Sequence, residues 1–488
     1  MIANLSDRFN EMMEAWDVPG FALAVVHRGE VILSDGFGYR DVERSLKVTP
    51  DTRFAIGSTT KAFTTMAMAM LVDEGVLAWD TLVRNYLPSF KLYDPIATER
   101  ITPRDLVTHC SGLPRHDNLW VFSTGTRAEL VQRLQYIEPT WDLRAVYQYS
   151  NLMFMMAGYL VEQLSGCRWE EFVEARILSV LGMARSSPGL TSQPGFSDFA
   201  LPYQQVDGAI RRIPFFSKDA VGPAGSMCST ANDLTRWLLL HLGRGERNGQ
   251  ALVSQENLRQ MHTAQMVIRD AGQLAPGERL NESFDEFGAS SYGLGWRITP
   301  YRRHTLIHHG GQIDGFSAMV SFMPDEDMGV AVLTNRHETP FPYVATLSIY
   351  DRLLNLAPID WSARIKAMVS AQATAAERSS AERAASRRPG TQPSHASLED
   401  YAGDFEHPAY GIFCVIAQDG WLTARYGGQE FPLNHYHYDV FTLTAGPDQI
   451  VLPISFFGDV KGNISHLSIP LEPAVKDIVF ARQTRGQA

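Results

Sequence analysis

The sequence predicts an α+β protein: an antiparallel sheet flanked by helices and carrying an all-helical subdomain, followed by a small all-β domain. Three observations lead there. β-prone runs before residue 40 return after residue 290, a block of helical apolar spacing lies between them, and a stretch almost free of large apolar residues precedes a tail of short alternating runs. A chain of 488 residues exceeds what one hydrophobic core usually organises, so domains are expected at 1–360 and 398–488, joined by a linker at 361–397.

Residues 1–16 mix Asp7, Arg8, Glu11 and Glu14 with apolar side chains, which reads as an amphipathic helix and lacks the unbroken apolar run of a secretory signal. Residues 21–26 and 31–37 flank His27-Arg28-Gly29-Glu30 and read as an antiparallel hairpin. Residues 58–74 are good helix formers with a hydroxyl at the start and Gly75 just past the end, so Ser58 falls at or near a helix amino terminus. From 102 to 242 the spacing is mostly helical, most clearly at 152–164 and 231–242. Strand signals return at 292–298, 305–308, 317–323 and 329–334, and an apolar helix follows at 344–354, so both ends of the domain are expected to build one sheet. Residues 364–397 are rich in Ala, Ser, Arg and Glu and end in Pro389, Gly390 and Pro393, which predicts a linker that is first helical and then extended. Beyond it, residues 401–482 alternate β-prone runs with Asp419-Gly420 and Gly427-Gly428 turns.

Composition narrows the functional classes. A net charge of -11 argues against a surface that tracks nucleic-acid phosphates, which needs clustered Lys and Arg. Its longest apolar stretch, 66–72, is far short of the roughly 20 residues that cross a bilayer. The four cysteines are dispersed without metal-type spacing, so free thiols in a reducing cytoplasm are expected. No cofactor or metal is expected either: His308 and His309 are followed by glycines, and His435 and His437 lack a third ligand.

Chemistry concentrates in three places. Among the seven lysines, Lys61 alone has a serine three residues before it, in Gly57-Ser58-Thr59-Thr60-Lys61. Residues three apart share a helix face, so the Lys61 amine can reach the Ser58 hydroxyl beside the free N–H groups of a helix start. A capping serine beside a solvated lysine is the plain alternative. Tyr147-Gln148-Tyr149-Ser150-Asn151 places a phenol and an amide on one short loop before an apolar helix. Tyr149 could move a proton between serine and leaving group, or could simply pack as an aromatic. Ile307-His308-His309-Gly310-Gly311-Gln312 sets an imidazole pair and glycines beside a strand, where glycine lets a substrate backbone lie close against the sheet edge.

The order Ser-x-x-Lys, Tyr-x-Asn, His-x-Gly resembles the three motifs of serine β-lactamases and penicillin-binding proteins, especially the branch of class C enzymes, esterases and D-amino-acid peptidases. Leu106-Val107-Thr108-His109-Cys110-Ser111-Gly112-Leu113-Pro114, Gly225-Ser226-Met227-Cys228-Ser229-Thr230 and Tyr292-Gly293-Leu294-Gly295-Trp296 are similar to further segments of that family. The likeness runs from about residue 5 to 354, and the tail resembles the small lipocalin-like, β-barrel-like domain appended to some members.

The resemblance implies Ser58 as the acylated nucleophile, Lys61 and Tyr149 as its acid/base partners, Asn151 as a donor to the substrate amide, and His309 with Gly311 as the third motif. It implies an oxyanion hole from the backbone N–H groups of Ser58 and Gln312. Where β-lactamases carry a Lys-Thr-Gly motif with a fixed charge, this chain has His309, expected to be only partly protonated at neutral pH. That departure favours hydrolysis of peptide, amide or ester bonds in small substrates. The rival enzyme readings are a carboxylesterase and a true β-lactamase or D,D-carboxypeptidase. A catalytically idle binding protein is the rival of another class, and three intact motifs argue against it. A homo-oligomer is compatible with the sequence.

Overall fold

The computed structural model describes residues 5–189, 197–215, 219–247, 249–269, 283–385, 388, 390–445 and 450–483. These fall into two compact units. The first comprises Met1–Ser89, Glu99–Gly112 and Trp141–Gln372, and the second Phe90–Thr98, Leu113–Thr140 and Ala373–Ala488.

Among the described residues, the first unit is organised by a nine-stranded sheet whose middle strands run, in spatial order, Arg297–Tyr301, His304–Ile313, Phe316–Met323, Met328–Thr334, Gly20–His27 and Glu30–Asp41. Strand Gly20–His27 pairs antiparallel with Met328–Thr334, Phe21 opposite Thr334, so the two ends of the domain do close one sheet. The hairpin at its start turns through Arg28 (φ 53°) and Gly29 (φ 75°), the left-handed pair that suits a two-residue loop between twisted strands.

The central strands are apolar on both faces because helices cover both. On one face, Phe21, Met319, Met323 and Val332 pack with Phe9 of helix Leu5–Ala15 and with Phe341 and Tyr350 of helix Phe341–Leu353. Trp361 and Ile365, at the start of the stretch read as linker, are fully buried in this same core, and their helix continues over Trp361–Ala385. On the other face, helix Ala231–Leu242 lies on the sheet, and its Trp237 stacks on Phe63 at 3.8 Å. Phe63 belongs to helix Thr60–Asp73, buried from Thr60 through Leu71, which explains a run of apolar and small residues without an exposed face.

Two expectations change in detail. The supposed strand 292–298 is broken, because Gly293 donates to Trp296 O at 2.7 Å and Gly295 turns at φ 78° against Thr65. Within the supposedly helical block, Tyr203–Val206 and Ala209–Arg212 form a hairpin. Strand Tyr203–Val206 is also held by His337, which donates to Tyr203 O at 2.8 Å.

In the second unit, eight described strands from Gly403–His407 to Ile478–Arg482 close a barrel, the first pairing with the last at Phe405↔Arg482. Phe405, Phe413, Val415, Phe431, Leu443, Phe456 and Phe480 are buried, so the interior is packed with side chains. This unit also contains residues 113–140, which the order of the chain alone assigns to the helical block. Phe122 packs on Tyr426 at 5.1 Å, His116 Nδ1 meets the Tyr410 hydroxyl at 2.7 Å, and the Asn118 amide donates to Leu471 O at 2.6 Å.

Candidate active site

Ser58 lies not in the α-helix but in a 3-10 turn, Gly57–Thr59, that feeds helix Thr60–Asp73. Gly57 is left-handed at φ 51°, and the Thr59 and Thr60 hydroxyls bond back to Ile56 O and Gly57 O at 3.0 and 2.7 Å, tightening the turn. Ser58 is half-buried while its neighbours are buried. One hydroxyl therefore reaches the surface of an otherwise closed segment.

Lys61 is fully buried, and its Nζ sits 3.0 Å from Ser58 Oγ, 2.8 Å from Asn151 Oδ1 and 2.8 Å from Ala224 O. The amide and backbone oxygens can only accept. An ammonium uses its three N–H bonds on these three oxygens. A neutral amine keeps two N–H bonds for the acceptor-only pair and turns its lone pair to Ser58, the one partner of the three that can donate. In its neutral form the same contacts would let the amine take a proton from serine. Asn151, the first residue of helix Asn151–Ser165, thus holds the lysine through its oxygen, a task added to the substrate contact expected from sequence.

Tyr149 is buried, with Lys61 Nζ 4.7 Å from its ring centroid. Its loop is fixed by His109, whose O accepts from Gln148 N at 2.7 Å and whose Nδ1 accepts from Ser150 N at 3.1 Å.

Strand His304–Ile313 brings the third motif to this place. His308 and His309 point to opposite faces, as adjacent strand residues do. His308 bonds Thr299 Oγ1 at 3.1 Å and lies 6.2 Å from Tyr343 on the far side, whereas His309 lies 6.4 Å from the Tyr149 ring. His309 is the histidine on the Ser58 side. Its expected partial charge is corrected: burial, with Lys61 and Arg297 nearby, holds its imidazole well below the ordinary range. Its Nδ1 faces Gly310 O at 2.6 Å and so carries the proton, leaving Nε2 to accept from the Tyr292 hydroxyl at 2.9 Å.

The strand's register with Arg297–Tyr301 ends at His308, and beyond it the turn at Ser58 takes the vacated side. A β-carbon on Gly311 would stand 1.9 Å from Ile56 O and 3.2 Å from Ser58 N, and one on Gly57 would stand 2.6 Å from Gln312 N. Both glycines are needed for this approach, which brings the backbone at Ser58 close to the backbone at Gln312. Gly311 thus makes room for the protein's own turn, where the sequence reading had it admit substrate.

Three members of this constellation escaped the sequence reading as contributors: Ala224 through its carbonyl, Tyr292 through its hydroxyl, and His109. A backbone carbonyl leaves no residue-type signal. Tyr292 and His109 stand in segments already noted as family-like, which was the available hint.

Beyond Gln312, Phe316 meets Phe54, Phe199 and Phe215 at 6.4, 5.8 and 5.6 Å. An open apolar pocket lies there, lined by Phe199, Leu201, Pro202, Ile213 and Phe215 with Arg212 among them. Its wall is tied to the segment that leads to Ser58, since Ala200 N donates to Arg53 O at 2.9 Å and Arg53 N to Asp198 O at 3.0 Å.

Comparison with known proteins agrees with this architecture. Residues 387–482 match a family described as a domain of unknown function, DUF3471. The chain is 28% identical to an unguisins hydrolase of Aspergillus campestris, over 96% of this chain and 89% of that protein. Among solved structures it resembles the octameric penicillin-binding protein homologue from Pyrococcus abyssi, with a TM-score of 0.64 and 23% identity over 98% of this chain and 99% of the other. It also resembles D-amino acid amidase from Ochrobactrum anthropi, with a TM-score of 0.58 and 23% identity over 72% of this chain and 98% of the other. The model of the beta-lactamase family matches residues 5–351, so the chain belongs to that family and is a serine hydrolase of the β-lactamase and penicillin-binding-protein superfamily.

Proposed function

We propose that the protein hydrolyses amide or peptide bonds of small peptides through an acyl-Ser58 intermediate. The observation that carries this reading is Lys61, buried and held by two acceptor-only oxygens so that its third valence faces Ser58 Oγ at 3.0 Å. Ser58 Oγ attacks the carbonyl carbon as its proton passes to Lys61. The carbonyl oxygen gains negative charge against the N–H groups of Ser58 and Gln312. Tyr149 hands a proton to the departing amine as the C–N bond breaks and takes back the one held by Lys61; water then attacks the acyl carbon, gives a proton to the same groups, and releases the acid as the proton returns to Ser58 Oγ.

A neutral His309 supports uncharged substrates over those that need a fixed cation for a carboxylate. The apolar pocket beside Phe316 supports a large apolar side chain on one side of the bond. The names of the relatives, a hydrolase of unguisins and an amidase, agree with amide cleavage. Turnover of D- and L-aminoacyl amides, short esters and nitrocefin tests the reading. It is supported by cleavage of phenylalanyl and leucyl amides well above nitrocefin, and overturned by nitrocefin as the best substrate or by no hydrolysis at all. The octameric neighbour further supports self-association of this chain, which sedimentation velocity tests: a single species at the monomer mass refutes it.

A further inference from the structure

His109 has no part in the proton transfers above, yet it is fully buried beside them and sits at φ 58°, a conformation that costs a non-glycine residue about 1 kcal/mol. Three of its parts grip one five-residue loop. Its carbonyl takes the Gln148 N–H at 2.7 Å, its Nδ1 takes the Ser150 N–H at 3.1 Å, and its ring stacks on the Tyr149 ring at 4.2 Å with 30° between planes. The remaining ring contacts are Tyr147 at 5.5 Å edge-on, Phe154 at 5.1 Å, and Tyr292 at 4.7 Å. Tyr292 is the residue whose hydroxyl meets His309. One imidazole therefore touches both the Tyr149 loop and the hydroxyl partner of the third motif.

We infer that His109 is a positioning residue that fixes the ring plane of Tyr149 over Lys61. This rests on the reading of Tyr149 as a proton carrier. A backbone N–H donor on Nδ1 requires that nitrogen to be unprotonated, so the neutral ring is the form that grips the loop. A tyrosine turns about two side-chain bonds, and stacking an aromatic face on a rigid neighbour removes most of that freedom. Two attachments do not depend on the ring: the His109 carbonyl keeps the Gln148 N–H, and the segment leading into the loop is anchored separately. Arg144 N donates to Cys110 O at 2.6 Å, Trp141 N to Gly112 O at 3.3 Å, and the Asp105 carboxylate takes Arg144 Nε and Nη2 at 2.8 and 2.7 Å. Replacing the ring should leave the loop in place and its tyrosine loose.

A double-mutant cycle tests this. His109→Ala removes ring and acceptor. His109→Asn tolerates the left-handed backbone and puts an oxygen where Nδ1 was, restoring the Ser150 bond without the stack. In the otherwise native enzyme, His109→Ala should lower kcat on an aminoacyl amide about 10- to 100-fold with KM within about two-fold, as loss of orientation does, and His109→Asn should fall between. In a Tyr149→Phe background the same substitutions should change kcat by less than about three-fold, because the group being oriented is gone. Equal losses in both backgrounds, or an effect on KM alone, overturn the inference. A Tyr149→Phe enzyme with undiminished kcat instead removes the reading of Tyr149 on which the inference rests, so the two failures are told apart. If His109→Ala does not fold, the His109→Asn arm of the cycle decides alone.

Discussion

Gly311→Ala is the smallest change that strikes the proposed oxyanion site. The added methyl would stand 1.9 Å from Ile56 O, where real contacts do not close below 3.0 Å, so strand and turn must part by 1.1 Å or more. The obstacle is a backbone oxygen, which has no rotamer by which to yield. Because Ser58 N lies 3.2 Å from the same methyl, the parting falls between the two N–H groups proposed to hold the oxyanion. A misplacement near 1 Å costs about 100-fold, and removing one oxyanion donor costs about 100- to 1,000-fold, so kcat should fall by at least about 100-fold. Overpacking adds about 1–3 kcal/mol of destabilisation, a drop of a few degrees in melting temperature that leaves the enzyme folded at 25 °C. Steady-state amide hydrolysis and the rate of fluorophosphonate labelling read the effect, with Gly225→Ala as control. There the methyl would lie 3.7 Å from Gly57 C, an ordinary contact beside the same turn. Native-like turnover by Gly311→Ala would refute the reasoning, as would equal losses at both glycines.

Other consequences are as direct. Ser58→Ala should abolish turnover with little change in melting, since the hydroxyl caps no helix and bonds to Lys61 at the half-buried surface of the turn. Lys61→Met should lower both activity and stability, because Asn151 Oδ1 and Ala224 O lose a buried donor, at about 1–3 kcal/mol for each stranded group. His309→Lys should reduce turnover of every substrate about ten-fold or more and improve none, because it buries an ammonium beside the Lys61 amine and gives up the Tyr292 contact. His308 and His116, one in each unit, are pushed down by burial to about 3 and about 4. The unfolded chain takes up these protons below about pH 6.5 while the folded chain does not, so their share of stability is complete above that pH and is lost as pH falls toward the folded values. At pH 5 each should cost about 2 kcal/mol, read as a lower urea midpoint than at pH 7.5, with a smaller drop in His308→Asn.

Much of the fold was legible because local signals and tertiary structure agreed. The hairpin through Arg28 and Gly29, the buried helix after Ser58 and the Ala231–Leu242 helix all announce themselves by periodicity and end signals. Closure of the sheet by strands more than 290 residues apart followed from their shared apolar character. The hairpin at Tyr203–Arg212 was missed because its strands are only four residues long and the first is held by His337, far away in the chain. Residues 113–140 are likewise assigned by contacts to Tyr410, Tyr426 and Leu471 that no local pattern encodes. At the site, residue types showed Ser58, Lys61, Tyr149 and His309, whereas burial decided what they can do. The charge state of His309 depends on its distance from water and from Lys61, and the grip on Lys61 depends on a carbonyl that any residue at 224 would supply.

The central claim is that Ser58 carries the acyl group. Peptide mapping by mass spectrometry, after brief reaction with a fluorophosphonate and separately after acid quenching during turnover of a slow ester, tests it most directly. The account predicts a stoichiometric adduct on the peptide that contains Ser58, absent from Ser58→Ala and formed more slowly in Lys61→Met. A stoichiometric adduct on another side chain, or one that forms at the native rate in Ser58→Ala, would contradict it.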